Sequence, residues 1–366
     1  MNFGPATLSR IRHTAEAIRQ KLAYAAVGIG ARLAALEMFA NSQIASSLVQ
    51  AACTVRADLY IAHYVAALPA AAEAAKIHKG AYAFDAEDFH LGDLPDLPKH
   101  NIEKRIIRAI EGRYLPGAAF VTAASPLIAE AYAQIYGITK PTVILNVFPK
   151  DNGPQNPSKR GSVQPGPSLY WFSQTIGAGR GLETAVEAIA LASSRPHLHL
   201  RGTFARGYEA ALRAHASHYG VSERLHFHQP VPPDEVEIAG ANFDVGYVGE
   251  TGFSENNCLA LANKLFSYLA SGLPVIASNT PAHSAISADL AGALDIFPIN
   301  DATALAGALD RLLCDPARLA EARRAAWTLG RSRWNWEYEQ SLLLETVSAW
   351  RKSVNNRYGQ HLKSPA

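Results

Sequence analysis

The apolar positions of this chain fall into short runs of about four to eight residues, the length of a buried strand, separated by Ala-rich stretches with helical spacing. In the first half, "DLYIAHY" (58–64), "GAYAFDAED" (80–88), "AAFVTAAS" (118–125) and "PTVILNVF" (141–148) read as buried strands, with helical patterns such as 66–78 and 126–136 between them. The alternation resumes at 168 with "SLYWFSQ", "HLHLRG", "RLHFHQP", "FDVGYV", "LPVIAS" and "ALDIF". Strand and helix alternating twice over predicts an α/β protein with two parallel sheets covered by helices. No short repeat of fixed period interrupts the pattern.

The two rounds are divided by "FPKDNGPQNPSKRGSVQPGPS" (148–168), rich in Pro, Gly, Ser and Asn and almost free of apolar residues, which reads as an exposed connection. The expected organisation is an N-terminal domain over 1–148, a connection over 149–168, a second domain over 169–331 and a closing helix over 332–352. That last segment, "SRWNWEYEQSLLLETVSAW" (332–350), suits a helix crossing back to the first domain, with Trp334, Trp336 and Leu342 to Leu344 as packing residues. The residues before Asp58 read as helices and turns, without a β-branched or alternating run.

Composition adds bounds. A length of 366 residues, 48% hydrophobic and 18% charged, gives each of two ordinary domains a core. A net charge of +2 neither demands nucleic acid nor excludes weak attraction to an anionic membrane. Cys53, Cys258 and Cys314 stand far apart with no C-x-x-C pair, so a reducing compartment, the cytoplasm, fits best. The apolar run Leu22 to Ala31 is too short for a span of about 20 residues. Arg10, Arg12, Arg19 and Lys21 are spread through a helical pattern, unlike a signal peptide. They suit a solvated helix face, or peripheral contact with the inner face of a membrane.

Candidate chemistry gathers in two strand-to-helix loops of the second half. After "FDVGYV" the loop "GETGFSENN" leads into a helix predicted from about Leu259 to Ala270, stopped by Gly272 and Pro274. The start of such a helix offers free N–H groups and a positive dipole end to phosphate oxygens, and Lys264, little more than a turn inside, adds a point charge. The second loop, "SQTIGAGRGLET" (173–184), is Gly-rich and places Arg180 just before the next helix, where a guanidinium grips a diphosphate with two parallel hydrogen bonds. The histidines of "HLHL" (197–200) and "HFH" (226–228) share a strand face, but no Cys or carboxylate completes a metal set nearby, so no metal site is expected there.

"GAGRGLETAVEAIA" and "NKLFSYLASGLPVIAS", with "ADLYIAHYVAALPAAAEAA", "FDAEDFHLGD", "RYLPGAAFVTAASPLIAEAYAQIYG" and "VILNVFP" upstream, resemble the retaining glycosyltransferases of family 4 (group 1). The resemblance runs from about residue 50 to 350. It implies the GT-B architecture of two facing Rossmann-like domains with a cleft between them. It also implies transfer of a sugar from a nucleotide-diphosphate sugar, with retention, to a glycan, lipid-linked or small-molecule acceptor, as in cell-envelope polysaccharide or glycoconjugate synthesis. No metal and no cofactor other than the donor are implied. Donor contacts are expected from Gly179, Arg180, Gly202, Glu255, Asn263, Lys264 and Ser267. His63 matches the family's active-site histidine, and Asp85 and Glu87, with Asp88 beside them, match its acidic loop, where a carboxylate orients an acceptor hydroxyl or receives its proton. Ser125 is expected as a helix N-cap.

The chain departs from that family pattern at several points. Arg180 stands where a Lys is usual, and Gln174 and Thr175 stand where an Arg is common. The E-x7-E glutamate positions hold Leu259 and Ser267, so the helix is of the Asn-Lys variant, with Glu255 or Asn263 expected to take the ribose. The family opens with a strand and a Gly-rich turn before the segment at 58–64. Part of the first sheet is therefore expected to be missing, through an absent start or a shortened N-terminus. Two other readings follow from these departures: a GT-B-like shell that binds without turnover, and a nucleotide-sugar epimerase on a similar frame.

Overall fold

The computed structural model describes residues 5–157 and 166–361, with side chains over 13–157 and 166–356. The chain divides into two compact units, one running to Ile144 together with Ser254–Asn256 and the segment from Glu345, the other comprising Leu145–Phe253 and Asn257–Leu344.

Three helices, Pro5–Gly28, Ala34–Asn41 and Ala45–Thr54, precede the sheet of the first unit. Its strands are β1 (Leu59–Ala62), β2 (Ala81–Ala86), β3 (Val121–Ala123) and β4 (Thr142–Val143), parallel and adjacent in that order. The helix Leu68–His78 buries a face of Leu68, Ala70, Ala71, Ala74 and Ala75, whose small side chains let it lie close on its neighbours. In the helix Pro126–Tyr136 the local signals agree: the Ser125 hydroxyl accepts from the Ile128 N–H at 3.1 Å, Pro126 takes the first turn, and Gly137 ends the helix with φ 62°. The run 141–148 pairs as a strand only at Thr142 and Val143. Behind the sheet Glu111, fully buried, accepts hydrogen bonds from the Tyr132 hydroxyl at 2.8 Å and from Tyr136. The His90 ring, 2.9 Å from the Tyr132 oxygen, is opposed by its burial but held above its ordinary value by Glu111, Asp93 and Asp88.

The second unit carries β5 (Ser168–Ile176), β6 (His197–Phe204), β7 (Leu225–His228), β8 (Val245–Val248), β9 (Val275–Ser278) and β10 (Leu294–Phe297). Their order is β10-β9-β8-β5-β6-β7, parallel throughout. Leu169, Trp171, Leu198, Leu200, Val245, Tyr247 and Ile276 meet the helices on one face in a continuous core. Direction of winding reverses between β5 and β8, the position where open parallel sheets hold ligands beyond their carboxyl ends. Of the expected connection, 158–165 lies outside the described residues. Its beginning is anchored within this unit, because the Pro154 carbonyl accepts from Trp327 at 2.9 Å and from Arg331 at 3.0 Å. The final helix is Trp336–His361, and Trp334 stacks on Phe266 at 5.6 Å. The Leu145 N–H donates to the buried Glu339 carboxylate at 2.8 Å, and Trp336 N–H to the Phe148 carbonyl at 3.0 Å.

The strand histidines form a ladder. Register sets His199 opposite His226 and Arg201 opposite His228. Facing rings His199 and His226 stack at 4.5 Å, while Nδ1 of His197 lies 2.8 Å from Nε2 of His226, and Nδ1 of His199 3.0 Å from Nε2 of His228. Each such pair needs one protonated and one bare nitrogen. Burial holds His226 and His228 below their ordinary value, and for His228 the Arg201 charge adds to this. The folded state therefore keeps them neutral while the unfolded chain binds protons below pH ~6.5. This contribution to stability is complete above that pH and lost as pH falls through it. Melting at pH 7.5 and 5.5 checks it: His228→Gln should lose less stability on acidification than the wild type, and an equal loss would count against the ladder as the sensor.

Candidate functional site

At the carboxyl end of β5 the chain enters the loop Gly177–Gly181. Gly179 and Gly181 adopt φ of 74° and 66°. A Cβ on Gly181 would stand 2.3 Å from the Gly249 carbonyl, so only glycine lets this loop lie on the one that leaves β8. Tyr247 fixes the contact by donating its hydroxyl to the Gly181 carbonyl at 2.7 Å. Arg180 is exposed between the two glycines, immediately before the helix Leu182–Leu191. Gly202, with φ 147°, brings β6 so near β5 that a Cβ would meet the Ser173 carbonyl at 2.1 Å, beside the register shift between Phe172 and Thr175.

The loop after β8 differs from expectation. Instead of one helix from Leu259 there are two, Glu255–Leu259 and Asn263–Ser271, with Ala262 extended between them. Lys264 is consequently the second residue of its helix, among the unpaired N–H groups rather than beyond them. Its ammonium lies 3.2 Å from the Glu250 carboxylate and 5.8 Å from the centre of the Trp171 ring, and both side chains of the ion pair are about nine-tenths buried. The other Glu250 oxygen accepts from Asn257 at 2.7 Å, and its backbone carbonyl from Ser278 at 2.7 Å. Burial alone would push the Glu250 carboxyl up, but Lys264 and Asn257 outweigh it and hold the group below its ordinary value. His283, buried beneath, is held below its ordinary value by burial, with its Nδ1 2.7 Å from the Ser278 carbonyl. Asn263 is exposed. Ser267 is turned inward, donating to the buried Glu237 at 2.7 Å.

A second cluster lies in the first unit. The β1–β2 register pairs Ala62 with Phe84, so His63 leaves the end of β1 alongside Asp85 in β2, and Glu87 follows in the bend just beyond the end of β2. His63 Nδ1 is 3.1 Å from Asp85 Oδ2 and 3.2 Å from Glu87 Oε1. Asp85 is opposite Thr122 of β3, whose hydroxyl donates to the other Asp85 oxygen at 2.6 Å. Asp88 is drawn elsewhere: Asn256 donates to it at 2.9 Å and to Asp93 at 2.8 Å. Burial, and then the Asp88 charge, push the Asp93 carboxyl up to about 6.

Residues 167–315 match the glycosyl transferases group 1 family. The matched span covers all six strands of the second unit. Among curated proteins no significant match is found. Solved structures of similar fold include Anabaena HepE in complex with UDP-glucose, 19% identical, with 84% of this chain and 82% of that one covered at a TM-score of 0.68. Sucrose-phosphate synthase from Thermosynechococcus elongatus is 17% identical over 86% and 78%, at 0.69. A glycosyltransferase from Rickettsia africae is 12% identical over 89% and 84%, at 0.66. The fold class is thus α/β of the GT-B type, with two Rossmann-like parallel-sheet units. No described helix is long and apolar enough to cross a membrane.

Within the matched span 167–315, the anticipated donor residues separate into three environments. Gly179, Arg180, Gly202, Asn263 and Lys264 belong to the second unit, the first two in the loop laid against the end of β8. Ser267 faces the interior. Glu255 groups with the first unit, where it lines a cavity of about 550 Å³ together with Leu91, Lys104, Arg105 and Arg108. His63, Asp85 and Glu87 come together. Sequence reasoning missed Glu250, which shares the Lys264 ammonium, and Thr122, which aims Asp85. The position of Glu250 two residues beyond a strand end was the available signal, since such positions flank the ligand crevice of parallel sheets.

Proposed function

We propose that the chain transfers a sugar from a nucleotide-diphosphate sugar to a glycan, lipid-linked or small-molecule acceptor with retention, in the synthesis of a cell-envelope polysaccharide or glycoconjugate. The observation that carries this reading is the pairing of two anion-ready loops at the β5/β8 switch point, one bearing Arg180 and the other leading to the open helix start at Lys264. Departure of the nucleotide diphosphate builds negative charge where fixed N–H groups and cations stabilise it. HepE, which shares the fold, is solved with UDP and with UDP-glucose, in keeping with such a donor. His63 would hydrogen-bond the donor sugar, and Asp85 or Glu87 would orient the acceptor hydroxyl. Glu255 or Asn263 would take the ribose.

Calorimetry with UDP, GDP and ADP tests the donor site. One nucleotide should bind specifically, and Arg180→Ala should weaken it more than ten-fold, about 1.4 kcal/mol. Wild-type affinity in the variant would remove Arg180 from the diphosphate. A second reading, a shell that binds nucleotide sugar without turnover, is favoured by one observation: the hydroxyl of Ser267, at a position where the family carries a glutamate, is spent on Glu237. Acceptor-dependent release of nucleotide separates a transferase from both a shell and an epimerase, which release none, and conversion of the donor sugar to its epimer separates those two.

A further inference from the structure

We propose that the helix Pro5–Gly28 docks on an anionic membrane surface through a stripe of exposed aliphatic side chains, opposite the face that joins it to the first unit. The joined face is fixed at several points. Ala23 and Val27 are buried, the Arg19 guanidinium stands 4.3 Å from the centre of the Phe39 ring, and Gln20 donates to the Ala40 carbonyl at 3.4 Å. The Glu16 carboxylate accepts from the Ser47 hydroxyl at 2.9 Å, and the Val27 carbonyl accepts from Arg105. With that side held, Ala15, Ile18, Leu22, Ala25 and Ile29 recur at intervals of three and four residues, the spacing of a single helix face. All five are exposed, the large ones strongly: Ile18 is 54% accessible, Leu22 67% and Ile29 92%, with Leu33 at 63% just beyond. Apolar side chains scattered singly over a surface are ordinary, but an aligned row of them marks a contact. In the sequence the same spacing reaches back through Ile11 to Leu8.

The spacing alone would also suit a second copy of the chain, packed helix to helix as in a coiled coil. Charge decides between the two. From Pro5 to Leu33 the sequence carries Arg10, Arg12, Arg19, Lys21 and Arg32 against a single acid, Glu16, whose carboxylate is engaged by Ser47 on the joined face. The helical period sets Arg10 and Lys21 along one edge of the stripe and Arg12 and Arg19 along the other. Two such helices laid together would bring like charges side by side at both edges, with no acid to pair them. An anionic headgroup layer meets the same charges favourably while the aliphatic row enters the acyl boundary. The contact lies along the surface, because no described helix is long and apolar enough to cross a membrane. The family match over 167–315 does not reach this helix, and the inference stands on the helix whatever the chain transfers.

Cosedimentation of the full chain with vesicles of phosphatidylglycerol and phosphatidylcholine, and with vesicles of phosphatidylcholine alone, tests the surface. Wild type should bind the anionic vesicles, and bind the neutral ones about ten-fold less or weaker still. The double variant Ile18→Gln with Leu22→Gln should weaken binding to the anionic vesicles by about ten-fold or more, with its melting midpoint unchanged because both side chains face outward. Lys21→Glu, also exposed, keeps the test open should that variant fold poorly: it should weaken binding to the anionic vesicles and leave the neutral ones unaffected. No binding of the wild type to anionic vesicles, or undiminished binding in the folded variants, would overturn the proposal. So would a dimer in sedimentation equilibrium that the Gln variant dissociates, which would make a second copy the occupant. Titration with UDP is read separately and should be the same in wild type and variants, so failure of the membrane contact and failure of the donor site are told apart.

Discussion

Glu250→Ala is expected to lower the stability of the second unit by about 3 kcal/mol, because it strands the Lys264 ammonium in a nearly closed environment. The expected result in a chemical melt is a lower midpoint with little change of slope. Replacing Lys264 as well, by Met, removes the orphaned charge and should recover most of the loss, since an apolar side chain of similar length packs against Trp171 without a counter-ion. The double-mutant cycle is the decisive measurement. Simple additivity of the two single changes would mean that Glu250 and Lys264 act independently. The pair also bears on the proposed diphosphate contact: Glu250 fixes the ammonium, and a donor anion then meets a charge that is already half neutralised. Lys264 is thereby better suited to positioning than to supplying net charge, which leaves Arg180 as the main cation of the site.

Gly181→Val should have the largest effect on ligand binding. The substitution combines left-handed strain of about 1–2 kcal/mol with a collision, since the new Cβ would fall 2.3 Å from the Gly249 carbonyl and 2.9 Å from the Tyr247 hydroxyl. The loop must lift from the end of β8 and take Arg180 with it, so nucleotide affinity should fall more than ten-fold. Gly179→Ala supplies the contrast. It meets the same sign of φ but nothing within 4 Å, and should cost only the strain. Comparable loss in both variants would show that strain, and not the contact between the loops, governs the site.

Strands such as β8 and β9 were readable from the sequence as continuous apolar runs between turn residues, whose two faces a parallel sheet buries, and β6 and β7 as apolar residues alternating with histidine at the period of a strand. The break at Ala260–Ala262 was not, since the alternating Leu and Ala of 259–262 are good helix formers; which conformation wins there is set by packing. Lys264 was picked out by its neighbours in sequence, but its partner Glu250 becomes visible only when β8 and the helix after it are set side by side. Likewise His63, Asp85 and Glu87 were each singled out, while their convergence depends on the register between β1 and β2. The inward turn of Ser267 has its cause in Glu237, thirty residues away, which no local pattern announces.

The arrangement of the second unit also imposes an order of assembly. Strands β5, β6 and β7 are consecutive both in sequence and in space, so that half of the sheet can pair as soon as residue 228 has left the ribosome. The partner on the other side of β5 begins only at Val245, and the clasp from Leu145 to Glu339 joins residues 194 positions apart. Contacts of such separation close late and slowly. During synthesis the edge of β5 that belongs to β8 is therefore bare while the edge that belongs to β6 is covered, and the end of β8 that completes the Arg180 loop is made after the loop itself.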